Sequence, residues 1–285
     1  MANPTVPKRQ LGRALRELRE AAVKSREDVA KALECSASKI SRIENGHVGV
    51  RSTEFAALLD LYDVPLDQRK DLSALARETR KRRPRTTYGR SIPDWFRRFV
   101  SLEESASEIR TYNGELVPGL LQTEDYTRAV TEANPLHAPT DIERLVRARA
   151  ARQARLVGDN PPRLWVVMSE GPLRLQVGGR DVMASQLEHI VEMAKLDHVT
   201  VQVAPFAAGA HASTGLNFTL LQFPDDIGVD VVYLEDLTSA SYLDKRDDPQ
   251  RQSYVLVWQH LTASALSPRD TIRLVNTVRR ELRQN

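Results

Sequence analysis

The chain has 285 residues, 41 Lys+Arg against 38 Asp+Glu, 41% hydrophobic residues and a single cysteine, Cys35. That apolar content supports a packed core and excludes global disorder, while one cysteine excludes an intrachain disulfide or a cysteine-based zinc cluster. No window approaches 18 uncharged apolar residues and the opening MANPTVPKRQ lacks a hydrophobic signal core, so a soluble cytoplasmic protein with no membrane partner is expected.

The charge is unevenly spread. Residues 1–90 hold 20 Lys+Arg against 12 Asp+Glu, and residues 91–285 hold 21 against 26. A basic module that meets a polyanion, joined to an acidic one that does not, is the reading such a split supports.

In chain order, LGRALRELREAA (11–22) spaces Leu11, Leu15, Leu18 and Ala22 for one helix face. Ser25 is placed to cap a second helix, with Glu27 and Asp28 in its first turn and Val29, Ala30 and Leu33 on its buried side. Ser36 is placed to cap a third, burying Ile40 and Ile43 and ending at Asn45-Gly46. A fourth helix is predicted over 52–62, burying Phe55, Leu58 and Leu59, and a fifth follows Pro65 over about 66–82.

Two helices joined by about three residues, with small Ala30 where the second must approach, describe a helix-turn-helix. The residues Ala30, Leu33, Ser36, Ser38, Ile40, Ser41, Arg42, Ile43, Glu44 and Gly46 form the pattern A-x-x-L-x-x-S-x-S-x-I-S-R-I-E-x-G. On them the chain resembles the XRE-type (Cro/cI-like) DNA-binding domains. One position departs: the turn glycine of that family is Glu34 here. A left-handed backbone at Glu34 would cost about 1 kcal/mol. The resemblance implies that Ala37, Ser38, Lys39, Ser41 and Arg42 face double-stranded DNA. Lys39 and Arg42 are the groups able to read guanine, with Ser38 and Ser41 as less selective base contacts. Arg26 and Asn45 would touch phosphate. Cys35, beside the turn, reads as a small apolar residue rather than a redox sensor.

RETRKRRPRTTYGR (77–90) carries seven basic residues, and the fifth helix should end near Arg83, before Pro84. We take 8–82 as the helix-turn-helix domain, 83–92 as a basic linker and 93–285 as a second domain. The linker either follows phosphates or serves as a plain tether.

Beyond it, PDWFRRFVSLEE reads as an amphipathic helix with Trp95, Phe96 and Phe99 on its apolar side. ASEIRTYN reads as a strand, and Thr123 as the cap of a helix. PTDIERLVRARAARQARLVG reads as a helix of about 18 residues opened by a capping box of Thr140 and Glu143. RLWVVMSE, VTVQVAPF, LNFTLLQF and VDVVYLE read as strands, with helices over 180–196, 247–265 and 268–283. The expected fold class is therefore an all-α five-helix N-terminal domain followed by a larger α+β domain with a small sheet.

The phrases LVPGLLQTEDYTRAV, RARAARQARL, SEGPLRLQVGG and VVYLED resemble the C-terminal domain attached to XRE-type regulators of high-GC Gram-positive bacteria, a domain without a defined biochemical role. That resemblance implies a small partner protein encoded nearby.

H-E-x-x-H, G-x-S-x-G, P-loop and G-x-G-x-x-G patterns are absent from the sequence, so no enzyme and no cofactor is expected. His189 and His198 lack a third ligand for a metal. Tyr112, Gln122, Glu170, Arg174 and Tyr233 are candidates for a small-molecule or partner pocket. They could equally bond and pack within the fold. The function expected is a sequence-specific transcriptional regulator, a homodimer through its C-terminal region because the basic half repels itself, responding to a small-molecule effector or a partner protein. The competing expectation is an antitoxin-like protein that sequesters a partner and regulates its own operator. Nucleoid association follows when DNA is bound.

Overall fold

A computed structural model of the chain describes residues 6–80, 92–224, 230–244 and 248–284, in two compact units. The first is all helical: α1 (Val6–Ala21), α2 (Arg26–Ala32), α3 (Ala37–Glu44), α4 (Ser52–Leu61) and α5 (Leu66–Arg80). The basic linker lies outside the described residues.

Short helices this close together depend on their ends. Ser25 accepts from Asp28 N–H while the Asp28 carboxylate takes the Ser25 N–H, a capping box. Ser36 accepts from Lys39 N–H at the start of α3. At the other ends, the chain turns through a left-handed residue after α1, α2, α3 and α4: Val23 (φ 53°), Glu34 (φ 50°), Gly46 (φ 71°) and Asp63 (φ 47°). The next N–H then reaches back to a carbonyl five residues earlier, as in Lys24 to Arg19 (3.1 Å) and Cys35 to Ala30 (2.9 Å). Only one of those four positions is glycine, so Glu34 does carry the strain that its side chain predicts.

The core of this unit comprises Leu11, Leu15, Val29, Ala30, Ile40, Ile43, Phe55, Leu58, Leu59 and Leu72. Helix α1 presses on the C-terminal end of α3 at Gly12. A Cβ there would stand 2.5 Å from the carbonyl oxygens of Ile43 and Glu44, so no side chain fits.

The second unit is α+β. Its strands are β1 (Glu108–Asn113), β2 (Arg163–Ser169), β3 (Val199–Ala204), β4 (Phe218–Gln222), β5 (Val231–Glu235) and β6 (Ala240–Leu243), forming one sheet in the order β3-β2-β1-β4-β5-β6. The β1–β2 and β2–β3 pairs are parallel, and β4, β5 and β6 add antiparallel. The helices are α6 (Asp94–Glu103), α7 (Glu124–Ala133), α8 (Pro139–Gln153), the single turn α9 (Gly171–Arg174), α10 (Arg180–Met193), α11 (Pro249–Ser264) and α12 (Pro268–Gln284). Parallel strands need crossovers, and here α7–α8 and α9–α10 supply them. Strand β2 buries Leu164, Val166, Val167 and Met168, consecutive residues included, as a central strand covered on both faces does.

One face packs on α11, with Tyr112, Val167, Phe218, Leu220, Val232, Trp258 and Leu261 forming its core. Register sends alternate residues to the opposite face: Thr111 pairs with Thr219, which pairs with Tyr233. Strand β6 was not anticipated from the sequence. The start of α8 also differs: Pro139 occupies the first turn and Ala138 the cap position, without a side-chain cap. Proline suits that position because its missing N–H would be unpaired there anyway. Glu143 consequently pairs with Arg128 rather than closing a box with Thr140.

Candidate nucleic-acid interface

Helix α3 presents two unlike sides. Ile40 and Ile43 are 2% and 4% exposed, locked into the core, while Ser38 and Arg42 are exposed. Arg42 has no ion-pair partner among the described residues, so its guanidinium is available to an outside acceptor. Ala37 and Ser41 are half-buried, and Asn45 is exposed. The Asn45 amide donates to the Ser41 carbonyl (2.8 Å) and hydroxyl (3.4 Å), closing the end of the helix.

Lys39 is less free. Its ammonium donates to Glu54 Oε1 at 2.6 Å, and Glu54 also accepts the Arg51 N–H at the start of α4 (3.2 Å). The Lys39 hydrogen bond, with help from Arg51 N–H, outweighs burial and holds the Glu54 carboxyl below the usual carboxylate range. An outside acceptor therefore reaches the Lys39 ammonium only by displacing this carboxylate.

Behind α3, Glu44 is 2% exposed at its side chain and accepts from Arg19 Nε (2.6 Å) and Arg26 Nε (2.9 Å). Arg19 further donates to the Lys24 carbonyl at 2.8 Å. This triad ties α1, α2 and α3 into one body. Arg26 keeps its terminal nitrogens without partners among the described residues, in a side chain 37% exposed. Glu44 was legible as a motif residue, but its two arginines and the Glu54 screen were not, since pairs 15 to 25 residues apart leave no local signal.

The five pocket candidates in the second unit do not converge. Tyr112 lies on the α11 side of the sheet, its hydroxyl 3.1 Å from His211 Nε2. Glu170 joins the ends of β2 and β3, accepting from Arg174 Nε (2.6 Å) and Phe206 N–H (2.9 Å). Arg174 also donates to Glu281 (2.9 Å). These three groups are satisfied within the fold. A cavity of about 140 Å³ lies on the opposite sheet face. Tyr233 lines it, donating to Glu235 at 2.9 Å, and Gln122 stands behind it.

Of the remaining wall residues, the sequence singled out Phe96 and Phe99, as an apolar helix side rather than as part of a pocket. Arg149 and Arg152 come from α8, Phe96, Phe99 and Glu103 from α6, and Thr111, Asn113 and Thr219 from the sheet. Arg152 is held by both oxygens of Glu103, each at 2.7 Å. Arg149 donates only to Gln122 Oε1 among the described residues. Burial pulls its guanidinium down to about 10. Burial likewise raises the Glu235 carboxyl and the Tyr233 phenol above their ordinary values.

Among the described residues, no helix is long and apolar enough to cross a membrane. Residues 10–72 match the model of a helix-turn-helix domain, and residues 96–277 match that of a family described as Domain of unknown function (DUF5753). No curated protein matches the chain.

Proposed function

From a chain that belongs to the DUF5753 family and carries a helix-turn-helix DNA-binding domain, we propose a transcriptional regulator of the XRE type that reads operator sequence with α3. The observation that carries this is the two-sided character of α3. Its apolar side is fixed by the core and the Arg19–Glu44–Arg26 triad, while Ser38 and Arg42 stand free at the surface. A braced helix with an unpaired arginine fits the major groove, where a guanidinium can take guanine O6 and N7 together. Ser38 and Ser41 add less selective contacts, Lys39 joins once Glu54 gives it up, and Arg26 and Asn45 position the module on phosphate.

One such module buries little DNA surface, so operator affinity calls for a homodimer on half-sites about one helical turn (~34 Å) apart. The second unit supplies that dimer and alters it on binding a small effector or a partner protein, a shift in populations that requires unequal affinity for the two states. We assign it no catalytic role and place the protein in the cytoplasm, on the nucleoid when DNA-bound.

The test is capture of genomic fragments by the purified full chain, beside the Arg42→Ala variant, followed by sequencing. A few enriched sites sharing one motif, lost or relaxed in the variant, are expected. Uniform, salt-labile retention that Arg42→Ala leaves unchanged would sink the reading.

A further inference from the structure

The cavity lined by Tyr233 carries two arginines, Arg149 and Arg152, and two carboxylates, Glu103 and Glu235. Its two arginines are adjacent on α8, yet they are treated differently. Arg152 is neutralised by Glu103 through two hydrogen bonds of 2.7 Å, with side chains 8% and 6% exposed. Arg149 points into the same space with the Gln122 amide oxygen as its sole partner among the described residues. With no carboxylate in hydrogen-bond reach among the described residues, its desolvation is offset only by the longer-range attraction of Glu235 and Glu103. At neutral pH Arg149 nonetheless stays protonated, its pKa of about 10 leaving the charge in place.

The arginine is also held in position. Gln122 is 3% exposed, accepts from Thr127 Oγ1 (3.2 Å) as well as Arg149, and donates to the Val117 carbonyl (2.6 Å). Gln153 Nε2 donates to both the Gly119 and Gln122 carbonyls at 2.7 Å, fixing the turn that closes the cavity. A guanidinium oriented in advance, with unfilled donors facing a void, is the arrangement that recognises a carboxylate or similar planar anion at low ordering cost. Asn113 adds a second donor: its amide oxygen takes the Thr111 hydroxyl (2.9 Å), while its amide nitrogen has no partner among the described residues.

The rest of the wall narrows the ligand. Phe96 and Phe99 form an apolar side, with Phe99 stacked on Tyr233 at 4.1 Å between ring centroids. Glu103 and Glu235 oppose any anion, and a dianion such as phosphate more strongly than a monocarboxylate. The volume of about 140 Å³ is close to that of a cavity that accepts benzene, so the occupant is about ring-sized.

We propose that this cavity is a binding site for a small organic monocarboxylate with an apolar body, its carboxylate on Arg149 and Asn113 and its body against Phe96 and Phe99. The proposal rests on the reading that the second unit responds to a small effector, and it names the chemical class of that effector. Gln122 acts as a positioning residue for Arg149.

Calorimetric titration of the full chain with benzoate, benzamide and inorganic phosphate tests it. Benzoate is expected to bind, and benzamide, the same size without the charge, at least about tenfold more weakly. Phosphate gives no saturable heat. Arg149→Met should lose benzoate by about tenfold or more while still unfolding cooperatively on heating. Arg149→Lys, which keeps the charge, should retain the preference for benzoate over benzamide. Equal binding of benzoate and benzamide would overturn the proposal, as would no benzoate heat at millimolar concentration or an Arg149→Met protein that binds benzoate normally. A gel shift on a captured operator, run with and without benzoate, separates the two claims. Benzoate that binds without altering DNA affinity upholds the site and removes the sensing role, whereas absence of heat removes the site whatever the DNA does.

Discussion

Lys39 Nζ lies 2.6 Å from Glu54 Oε1, so a principal base-reading candidate of α3 is engaged by its own protein. The pair is partly buried, at 35% and 18% side-chain exposure, so a DNA contact by Lys39 would have to displace Glu54. Glu54→Gln frees the ammonium. Its expected result is tighter binding to all duplexes at low salt, with the slope of log K against log salt steeper by about one. Filter binding over a salt series measures this, and an unchanged slope would mean that Lys39 never reaches the phosphates or bases.

Gly12 sets how closely α1 approaches α3. Gly12→Ala puts a methyl 2.5 Å from two carbonyl oxygens, and the helices must separate. A loss on the order of 1–3 kcal/mol is expected, as for overpacking elsewhere. Thermal unfolding of the full chain should show the first unit melting earlier, with DNA binding lost at the same temperature.

Val23 and Glu34 hold left-handed backbone without being glycine, and Val23 is 91% exposed, so its side chain packs on nothing that would be missed. Val23→Gly and Glu34→Gly should each stabilise by about 1 kcal/mol, the relief being larger at the β-branched valine. Chemical denaturation measures both, and a destabilised Val23→Gly would contradict the left-handed turn.

Arg152 and Glu103 form a buried pair with both partners nearly sealed from solvent. Removing one leaves the other unbalanced, so Glu103→Ala should cost roughly 3–5 kcal/mol. Arg152→Met with Glu103→Leu should recover much of that loss, which a double-mutant cycle by denaturation reads directly.

Burial would raise the Glu170 carboxyl, but the Phe206 N–H and Arg174 outweigh it and the group sits below its ordinary value of 4.5. A depressed folded pKa stabilises above the unfolded value and is lost as pH falls through the folded one. The stability gap between wild type and Glu170→Gln should therefore be widest at neutral pH and shrink as pH falls below the ordinary value of 4.5. Melting curves across that range test it.

The helix-turn-helix was legible because each of its signals is local. Ser25 and Ser36 cap within three residues, Ile40 and Ile43 share a face, and Gly46 supplies the turn. The larger unit was legible by element and not by site. Tyr112 and Tyr233 both looked like pocket residues, but strand register places them on opposite faces of one sheet, and the pairing of β1 with β4 that sets this joins residues about a hundred positions apart. Arg149 and Arg152 sat unremarked in an arginine-rich helix, since nothing local distinguishes the one that finds Glu103 from the one that does not. Strand β6 escaped because ASYL is four residues at a sheet edge, too short for alternation to register.

The central claim is that Arg42 reads bases from α3. The most direct measurement is the affinity of wild type and Arg42→Ala for a captured operator and for its scrambled sequence at one fixed salt concentration. The account predicts that the ratio of the two affinities falls by roughly tenfold or more in the variant, while scrambled-duplex binding changes little. An equal loss on both duplexes, leaving the ratio intact, would make Arg42 a phosphate contact and contradict the account.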